Sequence, residues 1–382
     1  MEQKNKVRIM HMADVHLDSP FSRLSVEQAE IRRRELRGVF TSMLLYAKAQ
    51  KVDIVLIAGD LFDVGYAGEE TVSLIIKEFE RAQECRFVIS AGNHDPYSPK
   101  SIYKLKRFPD NVYIFPTSEL DKFSFEDIGV DVYGWSFTSE SLTQNPLFGK
   151  CAEQNGNIPL LCIHCDTQSA TSPYAPVNAA DIERFGAAYS ALGHIHRTDG
   201  LKKLRSGAVW GYSGCPEGRS YDECGVGGAY IADIERSVLD TYSVKVSFVP
   251  FSRRTYESEQ LDLTGVMSTD EAHEKIKTFI RDKKYDENTS LRLALRGMVS
   301  PDAGDISGIG AAELGLFSLE IKDETSPVYD TERFESDMTL KGAFYRVLAP
   351  MLESEDEAER ERAREALRVG FAALEGSDIT AR

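Results

Sequence analysis

No stretch of this chain is long and apolar enough to span a bilayer, so no membrane-embedded segment is expected. The opening residues, Met1-Glu2-Gln3-Lys4-Asn5-Lys6, lack the apolar core of a secretory signal and lead directly into a strand. A cytoplasmic protein with no membrane association is therefore expected. Basic excess is missing too. Net charge is −16, whereas a simple nucleic-acid-coating protein is usually basic, and this argues against tight, unaided DNA binding. It leaves open a nuclease whose metals meet the phosphate locally. Cysteine is scarce, at six residues. Cys162-x-x-Cys165 resembles half of a zinc or redox motif, but no second pair completes a four-thiolate site. These cysteines read as small packing residues. There is also no internal repeat and no low-complexity tract.

What is present suits a soluble globular protein: 42% hydrophobic and 28% charged residues. At 382 residues the chain exceeds the ~250–300 at which single cores stop growing, so two or more domains are expected. The apolar run Val7–Met12 is a strand. Ser25-x-x-Gln28 is a capping box that starts a helix to about Ala49. Val52–Ala58, a helix after Glu69, and Arg86–Ser90 complete a β-α-β-α-β pattern with right-handed crossovers. Short strands then dominate: Val112–Phe115, Phe123–Phe125, Val132–Phe137, Ile158–Ile163 and Ala187–Leu192, then Gly207–Tyr212, Ala229–Asp233 and Val244–Phe248. A second sheet packed on the first, with helices outside, fits this order. Gly211–Gly228 is glycine-rich, irregular, and expected beside the site.

Pro250–Arg254 marks a boundary. A strand at Gln260–Leu263, a capped helix from Ser268 to about Asp282, a strand at Leu291–Leu295, a short helix near Ala311 and a strand at Phe317–Ile321 form a small α/β module. Val328–Ser336 reads as a tether. Leu340, Phe344, Val347, Leu348, Met351 and Leu352 then share one helical face. Ser354-x-x-Glu357 caps a second helix with the stripe Ala363, Ala366, Leu367, Gly370, Phe371 and Leu374. The expected domains are a catalytic domain at 1–252, a small α/β capping domain at 253–330 and a helical segment at 331–382.

Chemistry gathers at strand ends. Asp14 and His16 follow the first strand, Gly59-Asp60 the second, and Gly92-Asn93-His94-Asp95 the third. His164 ends a later strand, and Gly193-His194-Ile195-His196 ends another. Ligand sites in α/β sheets lie beyond the carboxyl ends of strands. Carboxylate, imidazole and amide oxygen are ligands for hard or borderline divalent cations. The set is too large for one open site and suits two ions that share a carboxylate, for which Asp60 is the natural bridge. Two such ions, about 3.5–4 Å apart, make hydroxide near neutral pH and clamp a phosphate. His11, inside the first strand, reads as a packed histidine. Asp18 and Asp63 read as turn caps or as residues behind the ligands. Arg32-Arg33-Arg34 and the Tyr103–Phe108 basic-aromatic cluster read as solvated faces, with phosphate contact as the sharper alternative.

The ordered set D-x-H, G-D, G-N-H-D, a lone His and G-H-x-H resembles the calcineurin-like metallophosphoesterases. His11-Met12-Ala13-Asp14-Val15-His16-Leu17-Asp18 and Gly59-Asp60-Leu61-Phe62-Asp63 resemble more narrowly the SbcD nucleases and their YhaO-type relatives among DNA repair exonucleases. The resemblance implies a core of two packed β-sheets flanked by helices, a capping domain, and a helical segment that docks on an SMC-like coiled-coil ATPase. It implies Asp14, His16, Asp60 and His196 on one metal and Asp60, Asn93, His164 and His194 on the other. It implies His94 as the catalytic non-ligand histidine, and Asp95, which follows it directly in the chain, is expected to orient it. Manganese is the expected ion, with iron or zinc as alternatives, and a homodimer is a further implication. Where this chain has Asp63, some members carry His, which leaves the mode of cleavage open. The expected function is a two-metal DNA nuclease, an exonuclease subunit of a repair complex, in which a metal-activated hydroxide attacks the phosphodiester with help from His94. A phosphodiesterase or phosphatase for a small nucleotide is the alternative, and a non-catalytic adaptor with structural metals is a third reading.

Overall fold

The computed structural model describes residues 6–63, 67–237, 241–300, 303–328 and 331–375. The opening residues 1–5, residues 329 and 330 of the expected tether, and the last seven residues of the helical segment lie outside that range. The chain divides into two compact units, Met1–Tyr256 and Glu257–Arg382.

In the first unit, β1 (Lys6–Met12), α1 (Val26–Ala49), β2 (Ile54–Ile57), α2 (Glu69–Arg81), β3 (Arg86–Ile89), α3 (Ile102–Leu105) and β4 (Val112–Ile114) follow in order. Next come β5 (Asp121–Phe125), β6 (Val130–Gly134), β7 (Ile158–His164), α4 (Ala179–Phe185) and β8 (Tyr189–Gly193). β9 (Lys202–Lys203), β10 (Val209–Tyr212), β11 (Gly228–Arg236) and β12 (Tyr242–Pro250) complete it. One six-stranded sheet runs β12-β11-β1-β2-β3-β4, and the other β5-β6-β7-β8-β10-β9. β1 to β4 are mutually parallel, as are β6, β7, β8 and β10, so the carboxyl ends within each set lie at one edge.

Strand alternation sets the layers. Val7 and Ile9 of β1 point into the core between the sheets, with Leu56, Val88, Leu160 and Ala191. Met10 and Met12 point the other way, against Leu36, Phe40 and Met43 of α1 and Ile75 and Phe79 of α2. The second sheet packs its outer residues Leu161, Ile163 and Trp210 against Ile182 and Phe185 of α4. The unit is therefore helix, sheet, sheet, helix, and its inner strands are covered on both faces. That is why β2 reads Ile-Val-Leu-Ile without alternation.

The Ser25–Gln28 capping box forms reciprocally at the start of α1. Trp135–Phe137 depart from the expected strand. They leave β6 to bond across to the other sheet, where the Ser90 hydroxyl donates to the Trp135 carbonyl and the Phe137 N–H to the Ala91 carbonyl. Arg32 is not on a solvated face. It is fully buried, 2.6 Å from Glu217, 2.7 Å from Glu35 and 2.7 Å from the Gly218 carbonyl. Breaking a buried pair of this kind costs about 3–5 kcal/mol, so it anchors the glycine-rich stretch to α1. In the Tyr103–Phe108 cluster the aromatics belong to the core. Tyr103 is buried, and Phe108 packs on Phe79 and Tyr103.

In the second unit, β13 (Thr255–Asp262, entering from the first), α5 (Thr269–Lys283), β14 (Thr289–Arg296), β15 (Met298–Val299), β16 (Ser318–Asp323) and β17 (Ser326–Pro327) form the small α/β module. Leu291, Leu293 and Leu295 share one face of β14 and pack on Ala272, Ile276 and Ile280 of α5. Around Ala311 the chain makes a hydrogen-bonded turn in place of the expected helix, closed by Gly315 at φ 67°.

α6 (Thr331–Ser336), α7 (Leu340–Leu352) and α8 (Glu357–Glu375) follow. Thr331–Ser336 of the expected tether are thus helical, while the Val328 N–H bonds the Val299 carbonyl, and Phe334 stacks on Tyr345 and Phe371. Tyr345, Leu367 and Phe371 form the small core of this hairpin, with Phe344 against it. Ser354 does not cap α8. Its hydroxyl accepts from Asp356 N–H, and Asp356 accepts from Ala358 N–H.

Candidate metal centre

Five strand ends meet at one place. Asp14 N–H donates to the Gly59 carbonyl at 3.0 Å and His16 N–H to the Asp60 carbonyl at 2.9 Å, so the loops after β1 and β2 run side by side. Asp14, His16 and Asp60 have φ of 53°, 48° and 51°, and His194 has 112°. Non-glycine residues in the left-handed region carry strain of about 1–3 kcal/mol each, and such strain concentrates at functional sites. Gly59 is required here: its φ is 94°, and a Cβ would lie 2.2 Å from His164 Nδ1. At Gly92 a Cβ would lie 2.1 Å from Asp60 Oδ1. The glycines in G-D and G-N-H-D therefore make room for the side chains of the centre.

Asp14, His16, Asp60 and His196 place their ligand atoms within 4.8 Å of one another. Carboxylates behind the two histidines set their tautomers. His16 Nδ1 is 2.9 Å from Asp63 Oδ1, and His196 Nδ1 is 2.7 Å from Glu223 Oε1. Each Nδ1 is thus the N–H donor, and each Nε2 presents a lone pair. The two Nε2 atoms face each other at 3.3 Å. Burial holds His16 neutral, pushing it down to about 4. Converging lone pairs beside two carboxylates make a cation site by their donor chemistry. Burial also pushes the Asp14 carboxyl up to about 7, against the pull of His196. A cation among these atoms favours the carboxylate.

A second group adjoins it. His164 Nδ1 donates to the Ala58 carbonyl at 3.0 Å, which leaves its Nε2 lone pair 2.9 Å from Asn93 Oδ1. Two acceptors at that distance again fit a shared cation. His164 is buried and pushed down to about 4 by burial. The His194 ring lies beside it, centroids 5.3 Å apart, with Tyr174 on its other side at 4.8 Å. Asp60 joins the groups. Its Oδ2 is 3.6 Å from His16 Nε2 and 3.5 Å from His164 Nε2, while Oδ1 accepts from His94 N–H at 2.9 Å. Burial alone would raise Asp60, yet His164, His16 and His94 together hold it below its usual value.

His94 stands over the centre with 49% of its side chain exposed, its ring 4.8 Å from that of His16. Its Nδ1 is 3.1 Å from Asp63 Oδ1, and that bond raises its pKa. Asp63, not Asp95, therefore orients it. The Asp95 carboxylate faces inward, accepting from the N–H groups of Leu61, Phe62 and Gly92 and from the Tyr103 hydroxyl. Consecutive side chains on a tight turn diverge, so adjacency in sequence does not make Asp95 a partner of His94. Asp95 ties the β2 and β3 loops together. Asp63 also takes the ring N–H of His16 and the hydroxyl of Ser19. It lies behind His16 and His94.

Sequence reasoning missed Glu223 and Arg219. Arg219 Nη2 is 2.6 Å from Glu223 Oε1, and its Nη1 is 3.2 Å from Ser19 Oγ and 3.6 Å from Asp63 Oδ2. One guanidinium thus links the carboxylates behind His196 and His16. The only sequence signal for either residue was its place in the glycine-rich stretch. Asp18 bonds Arg37 and the Gly68 N–H at the start of α2. His11 is a buried core histidine, bonded to the Tyr189 hydroxyl and the Leu192 carbonyl. Cys162 and Cys165 are buried free thiols.

A family model described as calcineurin-like phosphoesterase matches residues 7–198, a span that includes both groups. The chain is 27% identical over 299 residues to the uncharacterized metallophosphoesterase YhaO of Bacillus subtilis, covering 75% of this chain and 71% of that protein. It is 28% identical over 262 residues to the DNA double-strand break repair protein Mre11 of Saccharolobus solfataricus, covering 63% of this chain and 64% of that one. It is 24% identical over 274 residues to a subunit of the nuclease SbcCD of Staphylococcus epidermidis, covering 64% and 69%.

Proposed function

The chain belongs to the calcineurin-like phosphoesterase family, and we propose that it is a two-metal phosphodiesterase acting on DNA ends. The observation that carries this reading is Asp60, whose single oxygen Oδ2 faces both imidazole groups at 3.6 and 3.5 Å. Asp14, His16, Asp60 and His196 would hold one ion, and Asp60, Asn93, His164 and His194 the other. When bound, two divalent cations supply an activated water and neutralise the charge that builds on phosphorus. Oxygen and nitrogen donors without thiolate favour manganese, with iron or zinc as alternatives.

The chain's own residues supply the rest. Asp63 holds His94 at Nδ1, which leaves Nε2 as the free ring nitrogen on the half-exposed imidazole. From there Nε2 donates a proton to the leaving oxygen or a hydrogen bond to the phosphate. Glu223 and Asp63 keep His196 and His16 in the tautomer that binds metal. The relatives named for DNA repair and nuclease activity support DNA as substrate. The free thiols suit a cytoplasmic setting.

The expected activity is manganese-dependent cleavage of bis-aryl phosphodiesters and of DNA ends, read by chromogenic assay and gel. Efficient hydrolysis of phosphomonoesters or cyclic nucleotides, with DNA untouched even beside an ATPase, would instead favour the small-molecule reading.

In this reading residues 1–252 are catalytic, 253–330 cap, and 331–382 dock on an SMC-like coiled-coil ATPase, as the similarity to one component of a nuclease complex supports. Phe344 and Phe371 are unsuitable probes of docking, because they pack inside the helical hairpin. The outer face of α7 offers better ones: Leu340 is 68% exposed and Val347 73%. Leu340→Asp with Val347→Asp is expected to abolish co-purification with the ATPase, with diester turnover within about twofold of wild type. Retained co-purification would remove this face from the interface.

A further inference from the structure

Immediately after His196 the chain carries Arg197, Lys202, Lys203 and Arg205, four cations against the single acid Asp199, within a protein of net charge −16. All four are exposed, and among the described residues none forms an ion pair. Many cations elsewhere in this unit are matched: Arg8 with Asp233, Arg37 with Asp18, Lys106 with Glu69, Lys122 with Glu153. Lys202 Nζ rests 4.5 Å from the centroid of the Trp210 ring, a contact that fixes the stem and leaves the charge intact.

The register places this row. β10 runs parallel to β8, with Tyr212 opposite Leu192, just before His194. β9 pairs antiparallel to β10, with Lys202 opposite Trp210 and Lys203 opposite Val209. Lys202 therefore lies nearer the His194–His196 end of the sheet than Lys203, with Arg197 in the loop before β9 and Arg205 in the turn after it. β9 is the last strand of its sheet, so the row lies on an open edge. A cavity of about 210 Å³ opens at its head, walled in part by His196, Arg197, Thr198 and Gly214. A metal-ligand candidate and the first cation of the row thus share one recess.

We propose that residues 197–205 form a ribbon that carries the phosphate backbone of duplex DNA to the metal centre. The proposal rests on the phosphodiesterase reading above. Unmatched cations clustered on one short exposed segment neutralise phosphates and release counterions, which makes binding steeply salt-dependent. It also reconciles an acidic chain with a polyanionic substrate, because contact is confined to one edge and the rest of the surface repels.

The test is the full-length triple variant Lys202→Glu/Lys203→Glu/Arg205→Glu, which leaves Arg197 beside His196 untouched. Anisotropy of a fluorescein-labelled phosphorothioate duplex is titrated at several salt concentrations, alongside turnover of bis(p-nitrophenyl) phosphate. Binding should weaken on the order of tenfold or more, and the log K against log salt slope should become shallower by about 0.9 for each phosphate no longer neutralised. Turnover of the small diester should not change. The neutral pair Lys203→Gln/Arg205→Gln should give an intermediate slope, which separates charge loss from misfolding. A wild type that cleaves DNA while both variants bind it with unchanged slope would overturn the ribbon alone. A wild type that neither binds nor cleaves DNA would overturn the DNA reading and the ribbon with it. Unchanged DNA binding with loss of the ATPase complex would reassign the edge to a protein partner.

Discussion

Asp60→Ala should lose both metal ions and fall to background phosphodiesterase activity. Wild type loaded with manganese should approach two ions per chain by elemental analysis. Asn93→Ala, which touches the second group alone, should retain about one. The asymmetry follows from geometry. Asp60 Oδ2 lies within 3.6 Å of both His16 Nε2 and His164 Nε2, whereas Asn93 Oδ1 meets His164 Nε2. Two cations at close range repel, and the shared carboxylate offsets that repulsion. Removing it leaves neither site with enough negative charge. Circular dichroism on the same samples separates lost metal from lost fold. Two ions retained in Asp60→Ala would end the bridging model.

His94→Ala should keep both ions and lose rate by about 10²–10⁴-fold, the worth of one acid–base group. The imidazole is half-exposed over the centre, its ring 4.8 Å from that of His16 and its Nδ1 bonded to Asp63. Asp63→Asn is the informative companion. Asp63 bonds Nδ1 of both His94 and His16, so its loss should lower the rate and also weaken metal binding by about 10–100-fold. Asp95→Asn should differ from both. Asp95 bonds backbone and Tyr103, so the expected effect is on thermal stability. Emptying of a metal site in His94→Ala would make His94 a ligand and undo this assignment.

Much of the centre is legible in the sequence because its parts are local. A buried strand that stops at glycine and continues with Asp, Asn or His is a pattern of a few residues. The motifs around Asp14, Asp60, Asn93, His164 and His194–His196 each sit in one such segment. Layering was legible for the same reason: Val7 and Ile9 against Met10 and Met12 follow from the two-residue period of a strand.

Folding alone settled what depends on residues far apart in sequence. Asp63 reaches His94 and His16, and Glu223 reaches His196, across loops whose sequence has no periodicity to read. Arg32 looked like one of three solvated arginines, since a charge run carries no record of what packs on it. Glu217, far along the chain, makes it a buried anchor. Asp95 looked like the partner of its neighbour His94, until the turn sent the two side chains apart. Phe344 and Phe371 looked like a face awaiting a partner, but each helix supplies the other's cover. Short-range pattern selects the chemistry that reaches the centre, and long-range packing decides which groups hold it in place, because a hydrogen bond depends on distance in space and not on separation along the chain.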